Sequence, residues 1–385
     1  MTPSDAVLER AFLDDDVIAR GWDAAGALAD DGAALERDAE PADALVAMVR
    51  LLGARGLLSL VAGGPSWRAV CLARERLGYT SPLLELAFTM QGLGSYPITL
   101  GGSDAQRARH LEGVVAGTHV AAFALTEPDA GSDLDGVSTS ARRDGDGYVL
   151  DGHKVLISNA PVADLFTVFA ATAPAGAPRR LSAFVVRRGA AGLTTTPTRV
   201  LGGHPIGEVR LDGVRVAEED RLGAEGDGLR LALGTLHRFR TTVGAAAVGF
   251  AQRALDEAVH HTRTRHQFGA PLAALSAVQM SLADMACLTE TARLLVYRAA
   301  ALADRGDGGR EAEARAGSMA KLVATENASQ VIDRAVQLHG GRGVMTTSVV
   351  ARLYEDVRAL RIYEGASDVQ RLLIARHLLA DRAAR

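Results

Sequence analysis

One carboxylate, Glu364, stands in "LRIYEGASDVQRLL" (residues 360–373) between Tyr363 and Gly365, just ahead of the last helical pattern of the chain. An acid in that place can do either of two things. It can be a solvated charge favoured by the dipole of the helix it precedes, or a base aimed at a buried ligand. In the second case the backbone N–H groups opening the helix at Gly365-Ala366-Ser367 can hydrogen-bond an oxygen that gains negative charge during reaction. In isolation the surface acid is the ordinary reading.

Four further stretches carry groups that could meet a ligand. In "FALTEPDAGSD" (123–133) a β-run ends at Thr126 and a loop with Pro128, Gly131 and Ser132 follows; its amides and hydroxyl can line a pyrophosphate or a flavin edge, although most such turns are merely turns. In "GHKVLISNA" (152–160) a strand ends in the polar tips Ser158-Asn159. In "RTRHQFGAPL" (263–272) Arg265, His266 and Gln267 cluster beside Phe268 and Gly269. The arginine suits a pyrophosphate and the phenylalanine could stack on an adenine; a solvated helix end is the plain alternative. In "QLHGGRG" (337–343) Gly340 and Gly341 stop a helix and also admit close approach to the backbone. His260, His261 and His266 read as polar groups at a helix bend, and no metal site is expected.

The elements that must position these residues fall into three regions. Residues 1–118 are helical, with apolar spacing of three and four in "ADALVAMVRLLGARGLL" and "SWRAVCLARERLGY", and a helix capped by Ser103 and stopped at Gly117. Residues 119–223 switch to short β-rich runs between Gly, Asp and Pro turns, which predicts a compact barrel or sandwich. Residues 224–385 return to helix in long segments at 228–264, 276–304 and 311–339 plus a terminal pair, the pattern of an antiparallel bundle. The fold class is therefore mainly α with a central β-domain. A length of 385 residues, 48% hydrophobic, 23% charged and a net charge of −4 describe a globular protein with no electrostatic footprint for nucleic acid. The start, "MTPSDAVLERAFLDDD", lacks a signal peptide's basic and apolar regions, and no apolar run reaches membrane-spanning length. A cytoplasmic protein is expected, with Cys71 and Cys287 as buried free thiols.

Each motif alone is modest, but their joint order is not. "TEPDAGSD", "LDGHKVLISN", "GFAQRALDEAV" with "TRHQFG", "QLHGGRG" and "RIYEGASDVQRLLIARHLL" occur in the order and spacing of the acyl-CoA dehydrogenase family, which the chain resembles over essentially its whole length. The resemblance implies a helical N-terminal domain, a central barrel-like β-domain and a C-terminal four-helix bundle, with FAD between the last two. It implies α,β-dehydrogenation of an acyl thioester, Glu364 removing the α-proton while the β-hydride goes to flavin N5. Some relatives carry the base on the long bundle helix, immediately before the arginine matched by Arg240; here that residue is Phe239, so the rival base is absent.

The same resemblance places Phe123, Leu125, Thr126, Leu156 and Ser158 at the flavin ring, and Gly131 and Ser132 at the pyrophosphate. It places Arg265, Gln267, Phe268, Gln337, Gly340 and Gly341 at FAD's adenosine half across a dimer interface, with Ala366 and Asp368 also beside the cofactor. Ser132, His237, Arg240, Tyr363, Glu364 and Gly365 fall on the substrate side. Expected partners are an acyl-CoA or carrier-protein thioester, an electron-transfer flavoprotein, and further copies of the chain in a homodimer or homotetramer. Departures from the family pattern are Leu156 for Trp, Ala366 for Thr or Ser, Ser276 for Gln, and His237 where some members have an acid; they leave the acyl group and its carrier open. Two other readings compete: an oxygen-using oxidase or monooxygenase of the same fold, and a non-catalytic flavoprotein or nucleic-acid-binding relative. The retained Glu364 argues against the first and the balanced charge against the second.

Overall fold

The computed structural model describes residues 12–62, 66–306 and 309–383, so the start of the helical region expected over 1–118 lies outside them. The chain divides into two compact units. A sheet unit comprises Asp30–Pro65 and Leu86–His237; a helical unit comprises Ser66–Glu85 and Arg238–Arg385 with the chain before Asp30. Short helical segments between Asp15 and Asp38 are followed by helices α1 (Pro41–Ala54), α2 (Trp67–Thr80), α3 (Pro82–Gly101) and α4 (Asp104–Val115). Among the described residues no helix is long and apolar enough to cross a membrane.

In the sheet unit, α1 buries Ala44, Leu45, Met48, Val49 and Leu52, one face of a 3.6-residue period, and Pro41 fixes its first turn. Helix α4 opens on a reciprocal cap: Gln106 N donates to Ser103 Oγ at 3.2 Å, and Ser103 N donates to Gln106 Oε1 at 2.7 Å. Gly117, left-handed at φ 71°, follows its end as predicted.

The strands are β1 (Ala121–Ala124), β2 (Ser140–Asp144), β3 (Gly147–Ser158), β4 (Leu165–Ala171), β5 (Leu181–Arg187), β6 (Leu193–Thr198), β7 (Ile206–Ala217) and β8 (Arg221–Leu222). They form one sheet of order β6-β7-β3-β2-β4-β5-β8, with β1 parallel to β4. The expected β-domain is there, but this pairing is an open path rather than the closed ring of a barrel. Strand β4, "LFTVFAA", is buried on both faces through six of its seven residues, whereas β7 alternates between buried and solvated positions. Ile98, Val114, Leu165, Phe169, Val185 and Leu231 are central to the core.

The bundle helices are α5 (Gly228–Thr264), α6 (Ser276–Arg305), α7 (Gly309–His339), α8 (Val349–Leu360) and α9 (Ser367–Ala383), with a hairpin of β9 (His266–Gln267) and β10 (Ala270–Pro271) between α5 and α6. The run "GAAAVG" on α5 lets α2 approach closely: a Cβ at Gly249 would overlap the Glu75 carbonyl oxygen. Glu75 is itself buried, accepting from Arg293 Nε at 2.9 Å and Tyr297 Oη at 2.6 Å. Cys71 is buried, but Cys287 is exposed, which corrects the expectation for the second thiol. Helix α6 buries Met285, Thr289, Ala292, Arg293 and Val296, and position 287 lies off that face.

Candidate active site

Helix α8 ends at Leu360 and α9 begins at Ser367, leaving a short loop that carries Glu364. Glu364 and Gly365 are both left-handed, at φ 52° and 92°. For a residue with a Cβ that conformation costs about 1 kcal/mol or more. Gly365 avoids the cost, and a Cβ there would overlap the Gln370 side chain. The loop is held from several directions. Lys321, fully buried on α7, donates from Nζ to the carbonyls of Tyr363 at 2.9 Å and Gly365 at 2.6 Å. Gln370 Nε2 also donates to Gly365 O, at 2.8 Å. Ser367 closes the loop through its N–H to Arg361 O at 3.1 Å, and its hydroxyl donates to Glu326 at 2.6 Å. Arg361 pairs with the same Glu326 at 2.8 Å.

Residue 364 as a whole keeps some exposure, but its Oε2 is sealed from solvent and has no hydrogen-bond partner among the described residues. Burial pushes the carboxyl's proton affinity up; Arg74, Lys321 and Arg240 oppose this, and Glu85 adds to it. Arg74 is already committed, donating to Glu85 at 2.5 Å and to Thr242 Oγ1 at 2.6 Å. Arg240 is different: its Nε is buried with no hydrogen-bond partner among the described residues, and its Nη1 donates to Ser318 Oγ at a long 3.4 Å. Burial lowers its proton affinity, and Glu364 opposes that. Phe239 is fully buried, with Trp67 edge-on at 5.7 Å between ring centroids. The helical unit thus brings Tyr363, Glu364, Gly365 and Arg240 together. An acid whose neutral form is favoured by burial, with cations beside it that favour the carboxylate, has the groups of a proton acceptor, its affinity shifted above the ordinary carboxylate range.

In the sheet unit a second cluster forms at the end of β1. Thr126 O accepts from Val155 N at 3.0 Å, which sets the "TEPDAGSD" loop beside β3. Lys154 points inward and donates to Leu125 O at 3.0 Å and Glu127 Oε1 at 2.8 Å. Glu127 also accepts from Ser138 N and Oγ, both at 2.6 Å, and from Thr139 N at 3.0 Å. Burial would raise the Glu127 carboxyl, but Lys154 and these donors outweigh it and hold it at about 2. Burial draws Lys154 down to about 8 against the pull of Glu127. A register shift in β3 between Lys154 and Ile157 turns the next residues outward, leaving Leu156 left-handed at φ 54° and 54% exposed. Phe123 and Ser158 are partly exposed nearby; Leu125 is buried, so its carbonyl is spent on Lys154. Gly131 and Ser132 are exposed, with nothing within 4 Å of a Cβ at Gly131. His237 is partly buried on α5.

The third group lies on the helical unit. Phe268 and Gly269 form the left-handed turn of the β9–β10 hairpin, at φ 53° and 80°, and Phe268 is 94% exposed. Arg265, Gln267, Ser276, Gln337, Gly340 and Gly341 are exposed as well. The rings of His261 and His339 stack at 4.3 Å and join the ends of α5 and α7, from which both stretches depart. No group of three or more His, Cys, Asp or Glu suited to a metal occurs among the described residues. Ala366 is partly buried, and Asp368 is exposed, accepting from Arg371 at 2.9 Å. Leu156, held out by a bulge, and Phe268, held out by a tight turn, each present apolar surface that a flat group could cover.

Sequence reasoning missed Lys321, Arg74 and the Lys154–Glu127 pair. For Lys321 the available signal was a lone cation in the small, apolar helical run "SMAKLVA".

Comparison with known proteins identifies the family. Residues 122–214 match the family description "Acyl-CoA dehydrogenase, middle domain", and residues 226–379 match "Acyl-CoA dehydrogenase, C-terminal domain". The chain is 41% identical over 286 residues to a 3-(aryl)acrylate reductase of Clostridium sporogenes, covering 74% of this chain and 75% of that protein. It is 40% identical over 291 residues to an acyl-CoA dehydrogenase of Bacillus subtilis, covering 74% and 76%. A glutaryl-coenzyme A dehydrogenase solved with glutaryl-CoA superposes with a TM-score of 0.89 at 32% identity, covering 96% of each chain.

Proposed function

The chain belongs to the acyl-CoA dehydrogenase family and is an oxidoreductase of that class, and from this premise we propose that it oxidises an acyl-CoA to the trans-2-enoyl thioester with Glu364 as the base. FAD, when bound, supplies the acceptor for the β-hydride. Glu364 takes the α-proton on its otherwise unpartnered Oε2. Its backbone N–H holds the thioester carbonyl oxygen and so favours the enolate-like charge that develops as the proton leaves. Arg240, Lys321 and Arg74 fix the field in which the carboxylate works, and Phe239 leaves Glu364 as the acid for this role. Phe123, Leu125, Thr126, Leu156 and Ser158 are assigned to the flavin ring, and Gly131 and Ser132 to the pyrophosphate. Arg265, Gln267, Phe268, Gln337, Gly340 and Gly341 are assigned to the adenosine half of a partner copy's cofactor, and Ala366 and Asp368 to FAD as well. On this reading the divisions 1–118, 119–223 and 224–385 are the functional parts of the chain, the working form is a homodimer or a dimer of dimers, and an electron-transfer flavoprotein takes the electrons onward.

The observation that carries the proposal is the left-handed Glu364, whose sealed Oε2 has no hydrogen-bond partner among the described residues and whose proton affinity is raised. Anaerobic mixing of the purified flavoprotein with a panel of acyl-CoAs tests it, through loss of flavin absorbance. The wild type is expected to bleach with at least one thioester, and Glu364→Gln to retain FAD but bleach at least about 10²-fold more slowly. Equal bleaching by the two would reject Glu364 as base. Reoxidation by oxygen at turnover rates would favour the oxidase reading instead.

A further inference from the structure

The base does not hold its own conformation. Glu364 and Gly365 are consecutive left-handed residues, and the carbonyls on either side of Glu364 both point to one buried amine, Lys321 Nζ. We propose that Lys321 is a positioning residue for Glu364: its ammonium straps the Tyr363 and Gly365 carbonyls to α7, holding the turn that presents the carboxylate, and places a fixed positive charge beside it. The inference rests on the reading of Glu364 as the base.

Three observations converge on it. A lysine with no exposed surface must spend its donors, and two of them go to main-chain oxygens two residues apart. The strap spans the one residue in that loop with a Cβ in a left-handed conformation, where an unaided backbone would relax. The charged groups facing the amine are Glu364 from the loop, Arg240 from α5 and Glu326 from α7 itself, with Arg74 and Glu85 completing the surroundings of Glu364. Burial draws Lys321 down to about 8; Glu364 and Glu326 oppose this, and Arg240 adds to it. Lys321 in turn lowers the proton affinity of Glu364. Loss of its charge therefore moves the ionisation of Glu364 to higher pH.

Two readouts on the FAD-loaded enzyme test this, with Lys321→Met, Lys321→Gln and Lys321→Arg. The first is hydrogen–deuterium exchange of peptides covering 360–368, which does not depend on turnover. The Met variant is expected to exchange about ten-fold faster there or more, with little change elsewhere. The second is the pH profile of anaerobic flavin reduction by an acyl-CoA. Its acid limb is expected to move up by about one pH unit in the Met and Gln variants and to stay in place in the Arg variant, which keeps the cation. Gln can still donate to one carbonyl, so it is expected to keep part of the exchange protection and covers the case in which Met does not fold. Wild-type exchange together with an unmoved acid limb in the uncharged variants would overturn the inference. Glu364→Gln run in parallel separates the two claims: if it reduces flavin at the wild-type rate, the base assignment fails, while fast exchange in the Met variant would still establish the strap.

Discussion

Glu364 is an acid placed where folding disfavours its charge, and the sign of that effect is open to test. Its proton affinity is raised in the folded chain, so the native state binds more protons than the unfolded state over the interval above an ordinary glutamate value of about 4.3. Below that value both states are protonated and there is no penalty; as pH rises through the folded value the penalty becomes complete. Glu364→Gln is therefore expected to melt higher than the wild type at pH 8, by about 2 °C, with the gap shrinking as the pH falls toward 4.3. Thermal melts of both proteins across that range check it, and a variant less stable at pH 8 would contradict it. This is separate from the loss of flavin reduction, so one substitution is expected to move stability and chemistry in opposite directions.

At the scale of elements, the loop after β1 and the outward turn of β3 are fixed by one internal ion pair, Lys154–Glu127. Removing one member of such a pair leaves a buried charge and costs about 3 kcal/mol, while removing both is much milder. Lys154→Met is expected to lose about that much in urea unfolding, and Lys154→Met with Glu127→Leu to recover much of it. Glu127's own contribution, with its carboxyl held at about 2, is present above an ordinary glutamate value and lost as pH falls toward 2. The strands and helices were legible because their signals are local: the short β-rich runs expected within 119–223 became the strands of the sheet, and Ser103 capped α4 as expected. The pair was not legible, because lysine in a strand reads as a surface residue until its partner, 27 residues away, is known. The left-handed turn at Leu156 was hidden too, since no glycine or asparagine marks it. Glu364 could be singled out through motif order, but Lys321, 42 residues from the nearer carbonyl it holds, could not.

At the scale of the whole molecule, the helical unit leaves Phe268, Met280, Val344 and Met345 more than half exposed in a single chain. On the proposal that copies of the chain associate, these side chains are candidates for the covered surface. The mass in solution is expected to be a multiple of the 40.3 kDa chain. Phe268→Asp is expected to shift it toward a single copy and to weaken FAD retention, measured by light scattering and by the flavin-to-protein absorbance ratio. An unchanged mass with full flavin would separate residue 268 from both assembly and cofactor.

The consecutive left-handed pair at 364 and 365 bears on how such a chain can drift. Glycine at 364 would relieve both the backbone cost and the buried charge, and a single base change converts a glutamate codon into a glycine codon. The easiest mutational exit from this position is therefore expected to relieve the fold while removing the carboxylate proposed as the base. If Glu364 is the base as proposed, a glutamate that persists there is held by chemistry, against the preference of the fold.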